Sequence, residues 1–268
     1  MTKIVFVTGA SSGLGKSTAA FLAQKGYTVI GTSRDPQKYP APDSYSLWPL
    51  DLNDSKSISR CVQRLEKEHG RVDVLINNAG QGITGPVEEL DQAALQAHFN
   101  TNCFGPLAVI QQVLPLMRAK KQGLIINITS IGASMGLPFR GAYSASKGAL
   151  QLLSEALRME VRAFGIDVVT LAPGDYATAI ADRRYYSPLK KESPYFKAYE
   201  WSLDTMNAHV DEGNDPMEVA EVIAQLITTK KRKVHYRVGP FMQKLSIFLK
   251  GILPSTVFEK LLRNHYKL

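Results

Sequence analysis

Tyr143 and Lys147 stand four residues apart in the stretch Tyr143-Ser144-Ala145-Ser146-Lys147. On an α-helix that spacing stacks the two side chains on one face. A phenol beside an ammonium is a proton-transfer pair, because the positive charge favours the phenolate. A tyrosine held this way can give a proton to a carbonyl oxygen or take one from an alcohol. Both residue types are common, and the spacing alone is also that of an ordinary helix-surface pair. Its meaning depends on what else the chain brings to it.

A second stretch, Thr8-Gly9-Ala10-Ser11-Ser12-Gly13-Leu14-Gly15, follows a short apolar run at residues 3–8 that reads as a buried strand. A helix is predicted over residues 16–25. Strand, glycine turn and helix make a phosphate cradle: glycines let the backbone approach a pyrophosphate, and free N–H groups at the helix start point at it. Gly9, Ser11, Ser12, Gly13, Leu14 and Gly15 are the candidate contacts. Gly15-Lys16-Ser17 imitates the end of a nucleoside-triphosphate loop, but that loop needs glycine five residues before Gly15, where Ala10 stands. A glycine turn without a ligand is the plainer alternative.

The next predicted strand, residues 27–33, ends at Thr32-Ser33-Arg34. NAD sites of this build carry an acid at that tip for the ribose hydroxyls, whereas hydroxyls and an arginine suit a 2′-phosphate. Ser33 and Arg34 therefore favour NADP(H), although Asp35 follows at once. A third strand over 46–50 runs into Asp51 and Leu52, and Asp54 caps a helix whose inward face is Ile58, Cys61, Val62 and Leu65. The strand over 72–76 leads to Asn77-Asn78-Ala79-Gly80, small enough to admit a close neighbour. One long helical stretch is predicted over 90–117, with Gly105-Pro106 as a bend and Asn102 inside it, where asparagine is a poor helix former. A strand over 124–129 ends at Ser130, a helix over 143–164 turns Leu150, Leu153, Leu157 and Val161 inward, and a strand over 166–171 ends at Pro173-Gly174.

Short apolar runs alternating with helices define an α/β protein with a doubly wound parallel sheet. The glycine loop, Arg34, Asp51, Asn77–Gly80, Ser130 and Pro173-Gly174 all fall at carboxyl ends of strands, where such sheets bind ligands. Residues 175–212 are rich in Tyr, Phe and Trp. They read as a lid with an aromatic lining, or equally as a loop packing its rings on the core. A helix over 216–229 and a strand over 234–238 complete the main body, assigned residues 1–239.

The 268 residues are 44% hydrophobic and 21% charged, which makes the chain globular and long enough for one large core. Two cysteines without metal-like spacing indicate a reducing, cytoplasmic setting, and the five scattered histidines argue against a metal. No leader peptide and no bilayer-spanning run are expected. Residues 230–268 carry ten Lys/Arg against one acid, Glu259, so the net charge of +8 belongs to the tail. Within the tail, Lys230-Lys231-Arg232-Lys233 lacks interleaved aromatics and reads as a solvated turn, not a nucleic-acid contact. Residues 240–268 form an amphipathic extension: Phe241, Leu245, Phe248 and Ile252 share helical spacing, Pro254 ends that helix, and Thr256-Val257-Phe258-Glu259 reads as a capping box for another. Such a helix can lie on an anionic membrane, or it can pack over the cleft or a partner subunit; packing is favoured here.

Taken in order, Thr8-Gly9-x-x-x-Gly13-x-Gly15, Asn77-Asn78-Ala79-Gly80, Asn102, Ser130, Tyr143-x-x-x-Lys147 and Pro173-Gly174-x-x-x-Thr178 resemble the short-chain dehydrogenase/reductase family in its single-domain form. The resemblance covers about residues 3–180. It implies a single Rossmann domain, a nicotinamide cofactor and carbonyl/alcohol interconversion. Tyr143 would be the acid/base, Lys147 its charge partner and a ligand of the nicotinamide ribose, Ser130 the donor to the substrate oxygen, and Asn102 the holder of a relay water. Gly9 to Gly15, Ser33, Arg34, Asp51, Leu52, Asn78, Ala79, Gly80, Pro173, Gly174 and Thr178 would hold the cofactor. Subunit pairing through the helices at 90–118 and 143–164 would give a homodimer or homotetramer. Met135-Gly136-Leu137-Pro138-Phe139 resembles the 17β-hydroxysteroid and retinol dehydrogenase branch and, with the aromatic segment, points to a bulky apolar substrate. A non-catalytic NADP(H) sensor and a membrane-surface protein are the rival readings of the same fold.

Overall fold

The computed structural model describes residues 2–176, 184–211 and 214–268. The chain opens with β1 (Ile4–Val7), α1 (Gly13–Gln24), β2 (Thr28–Ser33), β3 (Ser46–Pro49), α2 (Ser55–His69) and β4 (Val74–Asn77). It continues through β5 (Ile83–Thr84), α3 (Gln92–Phe99), α4 (Gly105–Ala119), β6 (Gly123–Ile128), α5 (Gly141–Val161) and β7 (Ile166–Pro173). It closes with β8 (Tyr185–Tyr186), α6 (Phe196–Asp211), α7 (Met217–Thr228), β9 (His235–Val238), α8 (Phe241–Ile252) and α9 (Ser255–His265). Seven strands form one sheet in the order β3-β2-β1-β4-β6-β7-β9, every pairing parallel. β1 is flanked by β2 and β4, so Val5 faces Val29 on one side and Val74 on the other. The winding reverses there, which opens a crevice at the carboxyl ends of the strands.

Strand residues alternate between two cores. Phe6, Leu75, Ile125 and Val168 face α2, α4 and α5, while Val5, Ile76, Ile126 and Leu171 face α1 and α7. Both faces are covered, so the central strands read as unbroken apolar runs. A third cluster joins Ile131 and Met135, just after β6, to Ile247 of α8 and Phe258 of α9.

Several expectations from the sequence need correction. The stretch over 90–117 is two helices separated by a π-helical turn at Asn100–Phe104. The Gly105 N–H reaches back five residues to the Asn100 carbonyl, and Pro106 has no N–H to offer the Asn102 carbonyl. Leu153 points to solvent instead of inward. The Thr256–Glu259 capping box does not form: Pro254 is the N-cap, the helix begins at Ser255, and no side chain caps it. That start puts Glu259 beyond the third helical position, where a box needs it. Arg232 is not a solvated turn residue, since its guanidinium binds the Leu226 and Ile227 carbonyls and Asp167. On α8, Ile247 is buried, whereas Phe241, Phe248 and Ile252 of the stripe read from the sequence are exposed.

Candidate active site

A cavity of about 600 Å³ lies over the crevice, and the glycine loop forms its floor. Gly9 and Gly13 have positive φ, 70° and 52°, which glycine adopts without strain. A β-carbon at Gly15 would collide with the Gly9 carbonyl and the Asn78 amide. Thr8 Oγ1 accepts from the backbone N–H groups of Asn78 and Ala79, at 3.0 and 3.1 Å. Asn78 Nδ2 donates to the carbonyls of Thr8 and Gly9, each at 3.0 Å. Asn78, expected as a cofactor contact, thus spends both amide hydrogens tying the two loops together. The N-cap of α1, Ser12, makes no side-chain cap and the first turn holds no acid. Its leading N–H groups and positive dipole end are therefore suited to an anion, and the cradle fits a pyrophosphate.

At the tip of β2, Ser33 is buried and Arg34 exposed on the cavity rim. Asp35 turns to its own chain: it accepts from the Gln37 N–H at 3.2 Å and pairs with Lys38 at 3.4 Å. Lys38 also lines the rim, a contact absent from the expected set. Asp51 and Leu52 line it opposite, with Asp51 Oδ1 accepting from the Asn53 N–H at 2.9 Å.

Tyr143 and Lys147 lie in the first two turns of α5, and both reach the cavity. Lys147 is buried, and its Nζ donates to the Ile128 carbonyl at 2.9 Å. Burial pulls its pKa down from 10.5 to about 8, so it stays cationic at neutral pH. Gly80 leaves room for this group: a β-carbon there would sit 3.2 Å from Lys147 Nζ and 3.4 Å from Asn102 Oδ1. Ser130 follows β6, and its Oγ accepts from the Gly132 N–H at 3.1 Å, which leaves the hydroxyl proton to donate elsewhere. Asn102, fully buried in the π turn, accepts from the Gln81 N–H and donates to the Gln81 carbonyl, both at 2.9 Å. The π turn thus aims Asn102 inward, where it clamps the loop after β4. Thr178 lies outside the described residues.

Sequence reasoning passed over His98. It is buried on α3, one turn before Asn102, with Nε2 2.9 Å from Ser146 Oγ and 3.1 Å from Asn102 Nδ2. Ser146 Oγ donates in turn to the Tyr143 carbonyl at 2.9 Å. His98 therefore links the helix that carries Asn102 to the helix that carries Tyr143. The i, i+4 spacing of His98 and Asn102 was the available signal. Burial, then the charge of Lys147, lowers the His98 pKa from 6.5 to about 4. The unfolded chain takes up this proton first, so stability falls as pH drops from about 6.5 to about 4. At 1.36 kcal/mol per unit the loss is about 3 kcal/mol. Denaturant unfolding of wild type and His98→Gln at pH 7, 5.5 and 4 tests this: the stability difference should shift by that amount, and parallel curves would refute it.

The cavity ends beside Arg140 and Arg184. The Arg140 guanidinium lies 5.7 Å from the centre of the Tyr143 ring. Of the aromatic segment, only Tyr176 among the described residues lines the cavity. Tyr199 packs down instead, its hydroxyl 2.9 Å from Thr84 Oγ1. The tail packs against this end: Gln243 of α8 accepts from the Asp175 N–H at 3.0 Å and donates to its carboxylate at 2.7 Å. The tail thus packs against the wall of the cleft at Asp175.

The family model described as short chain dehydrogenase matches residues 3–187, and the chain belongs to that family of oxidoreductases. The 3-ketodihydrosphingosine reductase of Bacteroides thetaiotaomicron is 38% identical, over 98% of this chain and 98% of that one. Among solved structures, a short-chain dehydrogenase from Streptomyces avermitilis is 33% identical with a TM-score of 0.82, covering 99% of this chain and 97% of that chain. A metagenomic short-chain oxidoreductase in complex with NADP is 27% identical with a TM-score of 0.70, covering 89% and 97%. A nicotinamide cofactor and a Rossmann fold go with this membership.

Proposed function

We propose that the chain is an NADP(H)-dependent reductase that interconverts a bulky, largely apolar ketone and its alcohol. The observation that carries the reading is the convergence of Tyr143, Lys147 and Ser130 in the cavity at one end of the phosphate cradle, with Asn102 buried behind Gly80 and Gln81 of its wall. The bound nicotinamide supplies or accepts the hydride. Tyr143 gives the carbonyl oxygen its proton, Ser130 donates a hydrogen bond to that oxygen, and the Lys147 ammonium favours the phenolate left behind and holds the nicotinamide ribose. Asn102 holds the water that restores the proton. The glycine loop and α1 carry the pyrophosphate, Asp51 and Leu52 flank the adenine, and Asn78, Ala79, Gly80, Pro173 and Gly174 border the nicotinamide half.

Arg34 and Lys38 on the rim, with the Asp35 carboxylate beside them engaged by Lys38 and the Gln37 N–H, support NADP(H) over NAD(H). A charge-assisted contact to phosphate contributes about 1.5–3 kcal/mol, so Arg34→Ala should shrink the NADPH-over-NADH ratio of kcat/KM by about 10- to 100-fold. An unchanged ratio would assign the phosphate to another residue. For the substrate, the 3-ketodihydrosphingosine reductase relative supports a long-chain ketone. Arg140 and Arg184 beside Tyr143 favour hydrogen-bond acceptors close to its carbonyl. Exposed Leu152, Leu153 and Met159 on α5 support pairing of subunits through that helix. NADPH oxidation against steroids, retinal, long-chain 3-keto compounds and small aromatic ketones tests the reading. Binding of NADPH with no turnover of any ketone would favour the sensor instead.

A further inference from the structure

The tail buries one side and leaves the other bare. Ile247 and Phe258 pack on Ile131 and Met135. Gln243 is clasped by Asp175, and Lys267 Nζ sits 4.7 Å over the Trp201 ring. These contacts fix the two helices against the carboxyl end of the sheet, beside the mouth of the cleft. The opposite face of α8 presents Phe241, Phe248 and Ile252, 72%, 58% and 60% exposed, at spacings of seven and four that align them along the helix. Met242 is exposed next to Phe241, and Val257 and Leu261 form a matching exposed pair on α9. A run of exposed aromatic and aliphatic side chains of this size marks a contact surface. Its charge identifies the partner, because Lys244, Lys260 and Arg263 accompany it against Glu259 alone, while Lys250 and Lys267 add positive charge from over the Phe258 and Trp201 rings. Large apolar side chains on a helix with cations around them suit the headgroup–acyl boundary of an anionic bilayer. No helix among the described residues is long and apolar enough to cross a membrane, so the contact lies in the plane of the surface.

We infer that α8 and α9 dock this protein on anionic membrane surfaces, with Phe241, Phe248 and Ile252 inserted at the lipid boundary. The inner side of α8 holds Asp175 of the cavity wall through Gln243, so docking brings the cleft close to the lipid surface. Delivery of a lipid-borne ketone rests on the reductase reading above, whereas the docking itself does not.

Sedimentation of the full chain with vesicles tests it without substrate or cofactor. Vesicles of phosphatidylcholine with roughly a third phosphatidylserine should carry the protein down, and phosphatidylcholine alone should carry much less. About 0.5 M salt should release most of the bound fraction by screening the charges. The combined variant Phe241→Ser, Phe248→Ser and Ile252→Ser should lower the vesicle affinity about tenfold or more, and Lys244→Glu with Lys260→Glu should do so independently. NADPH oxidation with a water-soluble ketone should be unchanged in both variants, since none of these residues lines the cavity. Wild type left in the supernatant with anionic vesicles would overturn the inference, as would a serine variant that pellets equally well. An oligomer in wild type that the serine variant loses, with no vesicle binding by either, would reassign the face to a second copy of the chain. Vesicle binding without any turnover would refute the reductase reading alone.

Discussion

Tyr143→Phe should lower kcat by 10²–10⁴-fold or more, the range a positioned general acid supplies, while leaving NADPH affinity within a few-fold of wild type. The substitution removes one oxygen and keeps the ring, and the ring makes most of the local contacts: it lies 6.2 Å from the His98 ring and 5.7 Å from the Arg140 guanidinium. The backbone carbonyl of residue 143 still accepts from Ser146. Neither the helix nor the phosphate cradle depends on the hydroxyl, so the fold and the cofactor site should survive. What is lost is the proton that a carbonyl oxygen needs as hydride reaches its carbon. That interaction exists only in the transition state, so kcat should fall with little change in the KM for the ketone. Steady-state kinetics on one active ketone, with NADPH titrated by fluorescence, separates the two effects. Turnover within a few-fold of wild type would remove Tyr143 from the chemistry, and weakened NADPH binding would make it a cofactor ligand first.

The residues legible in the sequence were those whose signal is local. Gly9, Gly13 and Gly15 stand out because a strand, a turn and a helix meet within a dozen residues, and the backbone of that turn restricts what can occupy it. Tyr143 and Lys147 are read from one helical spacing. The sheet follows from apolar runs that are buried on both faces. The contributions that escaped depend on partners distant in the chain. His98 reads as one histidine in a helix until Ser146 arrives from α5. Asn78, which lines the cavity as expected, also ties the glycine loop in place through its amide, a second task that no local signal shows. Leu153 fits an inward stripe, and only the packing of α5 shows that it faces out. The tail stayed open for a related reason. Two apolar stripes coexist on α8, and periodicity does not say which one the body covers; Ile131 and Met135 settle that by seating Ile247.

Lys147→Met should cost about 10²-fold or more in kcat/KM, the scale of removing one preorganised charge or donor from a reacting site, with almost no change in stability at neutral pH. The two halves of this expectation come from opposing terms. The ammonium is buried, and its folded pKa of about 8 against 10.5 shows that burial disfavours the charge. At 1.36 kcal/mol per unit, removing the charge returns about 3 kcal/mol. Against this, the Ile128 carbonyl loses its donor, at a cost of about 1–3 kcal/mol. Methionine is close in length and apolar, so little cavity forms. The balance is near zero, and a loss of activity in this variant cannot be assigned to unfolding. The pH dependence separates the terms. Between about pH 8 and 10.5 the unfolded chain still holds the lysine proton that the folded one has released, so wild-type stability gains with rising pH. The methionine variant has no proton to release at this position and lacks this gain, and the tyrosines and other groups common to both proteins cancel in the difference. Stability of wild type minus variant should therefore climb by about 3 kcal/mol across that window. A flat difference would mean that Lys147 keeps a shell of water, in which case its charge would reach Tyr143 through a screened path and the expected loss of activity would shrink with it.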